Sequence, residues 1–372
     1  MQHRMGRLPL VSQEGVRRAQ VERKKETLRF PCRTQYTNQG RTLSLRVHVC
    51  FVSQLIMRGG APHHCFLLAV LCVVVGCRAV SAFRICAYNV QKLDSKKVSN
   101  YRVLHTLTRV LSRCDITLLQ GVEDSDGFVV KTLLASLNRY SGREAHRYEG
   151  YHYGSVSSSS LGKSTDGLQK YVFTYRTETV HVMGQHQYQN HNQFVRAPFA
   201  VYFHSNTTAV KNFILVGLHA DPSNAVQEID HLYDVFKQVL SKWNDKNVMF
   251  LGDFHAGCAY MTRRDKKNIR LFTNSSFSWL IGGKIDTTIT DETSCAYDRI
   301  VVYGKSFLKA ITPFSANVFS FAREFKLTRT TALEVSDHLP VEVRLKNSAL
   351  LLQATSLRLL LTVTFCCFLL SL

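Results

Sequence analysis

Two histidines and three aspartates stand where apolar runs of this chain begin or end. His219 closes "FILVGLH", Asp253 closes "VMFLGD", Asp298 opens "DRIVVY", and Asp337 with His338 leads into "LPVEV". Asn89 ends the apolar opening of "FRICAYNV", residues 83–90. Each alone is an ordinary turn former or cap. Together they are the parts needed to hydrolyse a phosphodiester: a group that activates water, a group that protonates the leaving oxygen, and carboxylates for a hard cation that offsets the charge. They can cooperate only if separate strands end on one edge of a sheet. The Cys/His spacing of structural zinc, a Gly-rich phosphate loop ending in Gly-Lys-Ser/Thr and a Gly-x-Ser-x-Gly elbow are all missing from the sequence.

The elements that must position these groups can be read from hydrophobic spacing. "FRICAYNV" predicts a strand, and Tyr101, Leu104, Leu107 and Leu111 recur at helical spacing. "DITLLQ" (115–120) predicts a short buried strand and "GFVVKTLLASLNRY" a second helix. "RYEGYHYGSV", "QKYVFTYR", "TVHVM", "APFAVYFHS" and "NFILVGLHA" follow with short gaps, as in an antiparallel meander. Asp221-Pro222 starts a helix whose face carries Val226, Ile229, Tyr233, Phe236, Leu240 and Trp243. "NVMFLGDF", "DRIVVY" and the run after "SDHLP" supply the remaining strands. The pattern predicts a single domain over 83–346, an α/β fold of two packed sheets flanked by helices.

The ends differ from this domain. The net charge of the 372 residues is +20. Residues 1–82 hold 13 basic residues against Glu14, Glu22 and Glu26, whereas 83–346 hold 33 basic and 24 acidic. That is a moderately basic surface, compatible with a polyanionic partner. "CFLLAVLCVVVG" (65–76), with Arg58 before it and "VSA" at 80–82 after it, has the form of a secretory signal beginning at Met57. Residues 1–56 are then a basic extension or an artefact of the gene model, and 57–82 the signal peptide. The tail from 347 ends in "LLLTVTFCCFLLSL", short for a bilayer span and suited to a lipid-anchor signal or a tail anchor. Export agrees with the sequons at Asn206 and Asn274 and with disulfide formation.

"RICAYN", "LHADPSNAVQEIDHLYDVF", "VMFLGDFHAGC", "DTTIT…CAYDRIVV" and "SDHLPVEV", in this order, resemble the deoxyribonuclease I family of the endonuclease/exonuclease/phosphatase superfamily. The tail, with Cys86 and Cys114, is most similar to the deoxyribonuclease-I-like 1 branch. The resemblance covers roughly 83–346. It implies a four-layer sandwich of two mixed β-sheets flanked by helices, and metal-dependent endonucleolytic cleavage of DNA by a monomer. It implies that His219 donates the proton, that His338 activates water and is oriented by Asp298, and that Asp253, Asp337 and Asn89 hold magnesium or calcium, with manganese a third option. Arg196 and His255 would contact DNA phosphate, which positions DNA but reads little sequence. Cys258 and Cys295 match the family disulfide, while Cys86 and Cys114 are expected as buried free thiols.

The chain also departs from the family. Gly121 in "LLQGVED" replaces a metal-ligand Glu. Glu123, two residues on, shares its strand face and is the candidate substitute. Gln169 replaces the Glu that pairs with the proton-donating His, so His219 is expected to have a lowered pKa. His255 stands for a family Asn, and Ser294 for a His. Reduced activity is the expectation, and Gly121→Glu is expected to raise it. The alternatives are a non-catalytic nucleic-acid-binding surface protein of the same fold and a phospholipid phosphodiesterase.

Overall fold

The computed structural model describes residues 82–144, 150–165, 167–190, 192–290 and 294–348. The extension 1–56, the signal peptide and the tail beyond Ser348 lie outside the described residues. All described residues fall in one compact unit, Cys72–Leu372. No helix among them is long and apolar enough to cross a membrane.

Twelve strands form two six-stranded sheets. The first has the order β11 (Asn317–Val318), β12 (Val341–Leu345), β1 (Phe83–Leu93), β2 (Ile116–Val122), β4 (Lys170–Arg176), β3 (Tyr153–Ser157). The second runs β5 (His181–Gln187), β6 (Phe199–His204), β7 (Asn212–Gly217), β8 (Val248–Asp253), β10 (Asp298–Tyr303), β9 (Phe277–Trp279). β1 with β2 and β7 with β8 are parallel, and the other pairs are antiparallel. Both sheets are therefore mixed.

Period-2 alternation separates the layers. On β1, Ile85 and Ala87 join the core between the sheets, with Leu118, Phe173, Phe199, Val201 and Leu215. Tyr88 and Val90 face outward, onto a second cluster with Val103, Leu107, Leu133 and Ala332. That cluster comes from α1 (Ser95–Ser99), α2 (Tyr101–Leu111), α3 (Phe128–Glu144), α7 (Phe321–Glu324) and α8 (Arg329–Val335). α2 starts where predicted because the Asn100 side chain accepts the Arg102 N–H at 3.0 Å and the Val103 N–H at 3.4 Å.

The outer face of the second sheet is covered by α4 (Ala225–Trp243). Asp221-Pro222 opens a short 3₁₀ turn before it, and Asn244 closes it in a left-handed conformation. The buried face is Ile229, Leu232, Val235, Phe236 and Val239, with Glu228 among them. It is rotated from the expected stripe, for Val226, Tyr233, Leu240 and Trp243 are only half-buried. Two short helices complete the fold, α5 (Arg270–Thr273) and α6 (Lys305–Ala310).

Cys258–Cys295 is a disulfide, as the resemblance implied. Cys86 and Cys114 are not free thiols: they form a second one, with Cα atoms 6.2 Å apart. The parallel register sets Ile85 beside Ile116 and so brings Cys114, just ahead of β2, against Cys86. By chain entropy, loops of 37 and 28 residues contribute about 4 kcal/mol each.

Candidate active site

Register decides where the strand ends fall. β1, β2, β7 and β8 run toward one pole of the sandwich, and β10 and β12, antiparallel to β8 and β1, start from it. Asp298 is paired directly with Asp253. Asn89, His219, Asp253, Asp298, Asp337 and His338 therefore meet at this pole.

Asp253 is the centre. It is fully buried. Its Oδ2 accepts from Asn89 Nδ2 at 3.0 Å and lies 3.6 Å from His338 Nε2 and 3.9 Å from His219 Nε2. Its Oδ1 accepts the His255 N–H at 3.0 Å and sits 3.0 Å from His255 Nδ1. Burial alone would raise this carboxyl, but His338, His255 and His219 hold it well below the usual range. His338 Nδ1 donates to Asp298 Oδ2 at 2.8 Å. Burial opposes charge on His338, yet Asp298 and then Asp253 outweigh it and raise the imidazole to about 10. His219 goes the other way. Burial first, then the nearby Arg196, lower it to about 3, the direction expected from the sequence.

Several supports could not be read from the motifs. Gln120, at the end of β2, crosses between the sheets. Its Oε1 accepts the Asp253 N–H at 3.0 Å and its Nε2 donates to Leu218 O. Gly252 makes room for it, since a Cβ there would lie 2.5 Å from Gln120 Nε2 and from Leu218 O, at a φ of +127°. Ser336 Oγ donates to Asn89 O at 2.7 Å and accepts the His338 N–H at 3.0 Å. Thr287 Oγ1 accepts the Asp298 N–H at 3.2 Å. Tyr171 accepts the His219 N–H at 2.8 Å and donates to Arg196 O at 3.1 Å. Glu228 accepts the N–H groups of Val195 and Asp221 at 2.9 and 3.2 Å, and burial pushes it up to about 7. The only sequence signal for these is a polar residue inside or beside an apolar run.

Other expected site residues are placed differently. Arg196 spends Nε and Nη2 on His219 O and Ala220 O, at 3.0 and 3.1 Å, so it braces the His219 turn. His255 has a φ of +48°, stacks on Tyr297 at 5.0 Å and turns Nδ1 onto Asp253. Gln169 makes no hydrogen bond to His219: Gln169 Oε1 and His219 Nδ1 are both buried without a hydrogen-bond partner among the described residues. Asn206 is exposed and Asn274 half-exposed.

The residues fit a divalent cation. Asp298 Oδ1 and Asp337 Oδ1 are buried oxygens without a hydrogen-bond partner among the described residues, which suits hard-cation ligands. The ligand atoms that converge within 4.8 Å belong to Asp253, Asp298 and His338. This set shares Asp253 with the expected one. Asn89 instead presents its amide nitrogen to Asp253 and gives its oxygen to the Gln91 N–H at 3.0 Å.

Gly121 overturns the expectation built on it. It has a φ of +73°, in a bulge facing Gln91 and Lys92, which are left-handed too. The bulge breaks the alternation that would place Glu123 on the same face; Glu123 Oε1 lies instead 4.0 Å from Lys92 Nζ. A Cβ at 121 would sit 3.0 Å from Asn89 Oδ1 and 3.2 Å from Lys92 N. Gly121→Glu is therefore expected to lose about 1–2 kcal/mol of stability, without a gain in cleavage. Denaturant unfolding checks the first and a plasmid assay the second.

The arrangement can carry two proton transfers beside a buried carboxylate cluster. A model of the Endonuclease/Exonuclease/phosphatase family matches residues 86–338. Deoxyribonuclease gamma of Mus musculus is 39% identical over 287 residues, 76% of this chain and 90% of that protein. Deoxyribonuclease-1-like 1 of Homo sapiens is 39% identical over 285 residues, 76% of this chain and 91% of that one. Deoxyribonuclease-1-like 2 of Mus musculus is 41% identical over 274 residues, 73% and 95% respectively.

Proposed function

We propose, from the premise that the chain belongs to the Endonuclease/Exonuclease/phosphatase family, that it is an endonuclease hydrolysing phosphodiester bonds of DNA. The observation that carries this reading is the approach of both imidazoles to one carboxylate oxygen, with His338 Nε2 3.6 Å and His219 Nε2 3.9 Å from Asp253 Oδ2. His338, held in orientation by Asp298, takes the proton of the attacking water. His219, braced by Tyr171 and Arg196, delivers a proton to the leaving oxygen. Without a charged partner in Gln169 that delivery is weak, and reduced turnover follows. A divalent cation held by Asp253 and Asp337 supplies positive charge against the phosphate and competes with the proton on His338. We further propose export and membrane attachment, supported by the apolar runs at 65–76 and 359–372 and by the two disulfides.

Gly121 and the unpaired Gln169 favour a second reading, DNA binding without cleavage. Plasmid digestion with magnesium, calcium and manganese supplied separately decides between them, with His219→Ala as the control. Cleavage above the control supports the enzyme. Equal backgrounds for both proteins, with DNA retained, support the binder.

A further inference from the structure

The pole opposite the site carries a feature that phosphodiester cleavage does not use. Its loops are 204–212, 244–247, 303–316 and 344–348. Backbone hydrogen bonds tie them: Lys346 N–H to Ala310 O at 2.7 Å, Thr312 N–H to Arg344 O at 2.8 Å and Ala209 N–H to Lys346 O at 2.8 Å. They hold Lys211, Lys246, Lys305, Lys309, Arg344 and Lys346 against one acid, Asp245. Phe314 is fully exposed here, with a φ of +57°, in a turn closed by the Ser315 N–H on Thr312 O at 3.2 Å. An exposed aromatic in the left-handed region costs conformational energy and returns no packing within this domain. Leu308, on the adjacent α6, is exposed too. The chain leaves its described part at Ser348 on this same pole, and residues 349–372 are apolar, with one Arg and no acid.

We propose that this pole is a lipid-contact surface. Phe314 enters the interface of an anionic phospholipid bilayer, the one that holds the tail, and the surrounding lysines and Arg344 face its headgroups. Each basic residue near such a surface favours the docked state about fivefold. A nucleic acid would use the same charges, but exposed Phe314 and Leu308 beside an apolar exit match a lipid interface. The consequence is directional. The seven residues from His338 to Leu345 separate the site from this pole by roughly 20 Å, so the catalytic groups face away from the bilayer, toward soluble substrate. The proposal rests on the membrane-attached reading of the tail and is independent of catalysis.

The test uses the full chain carrying Phe314→Trp, in an Asn206→Gln background because a glycan at Asn206 would crowd this pole. Vesicles of brominated phosphatidylcholine are compared with ones containing roughly one-fifth phosphatidylserine, where surface charge acts. Trp243 and Trp279 give the baseline without the Phe314 change. Excess quenching and a blue shift are expected in the anionic vesicles, and Lys305→Gln with Lys309→Gln should lower the docked-to-undocked ratio about 25-fold. Quenching no greater than baseline overturns the proposal. So does a double variant that loses DNA binding but keeps the quenching. Retention through an alkaline wash reads the tail separately, and a protein washed off the vesicles removes the premise.

Discussion

His338→Ala is expected to lower DNA cleavage by about 10²- to 10⁴-fold, the contribution of a lost general acid–base group. His338 is the group that Asp298 orients at 2.8 Å and that Asp253 and Asp337 flank at 3.6 and 4.0 Å. Its removal also leaves Asp298 and Asp253 buried without their shared cation. Breaking a buried pair costs about 3–5 kcal/mol, so folding must be verified by circular dichroism before kcat/KM is compared. Asp298→Asn provides the intermediate case: the side chain keeps its shape but loses the charge that holds the His338 proton. A smaller loss than in His338→Ala, on plasmid at saturating cation, is the expected result. Equal activity in His338→Ala and wild type would end the assignment.

The same variant has a stability signature. His338 is raised from 6.5 to about 10 in the fold, so its stabilisation is complete below pH 6.5 and is lost as pH rises through about 10. Asp253 is depressed, so its contribution is present above its ordinary 3.8 and is lost as pH falls through its folded value. Wild-type stability without added cation is therefore expected to fall on the alkaline side of neutrality, and His338→Ala to flatten that limb. Denaturant midpoints across pH 6–10 measure it.

Asp253→Ala is expected to remove cation-supported cleavage, by about 10³-fold or more, because it takes out an anionic ligand and the counter-charge of His338 together. Asn89 Nδ2 and the His255 N–H lose their acceptor in the same step. Thermal unfolding separates ligand loss from simple misfolding. Magnesium or manganese at about 100 times its Kd should stabilise wild type by about 2.7 kcal/mol, reversed by a chelator, and should leave a folded Asp253→Ala protein unmoved. An unchanged cation response in that variant would place the cation elsewhere.

Local sequence determined the parts and their order. Apolar runs with alternation gave the strands, and polar residues at their ends gave His219, Asp253, Asp298 and His338, because strand period and end chemistry are local properties. The motif resemblance gave the sheet architecture and the Cys258–Cys295 disulfide. Tertiary structure decided what depends on register between distant segments. Cys86 meets Cys114 because β1 and β2 are parallel and aligned, and Gln120 reaches Asp253 because two sheets stack. Gly121 is left-handed because its bulge faces another in β1, and Arg196 turns to backbone carbonyls that only folding brings near. A side chain's type is written in the chain, but its partner is set by contacts hundreds of residues apart, and those contacts fix which atoms of this site face one another.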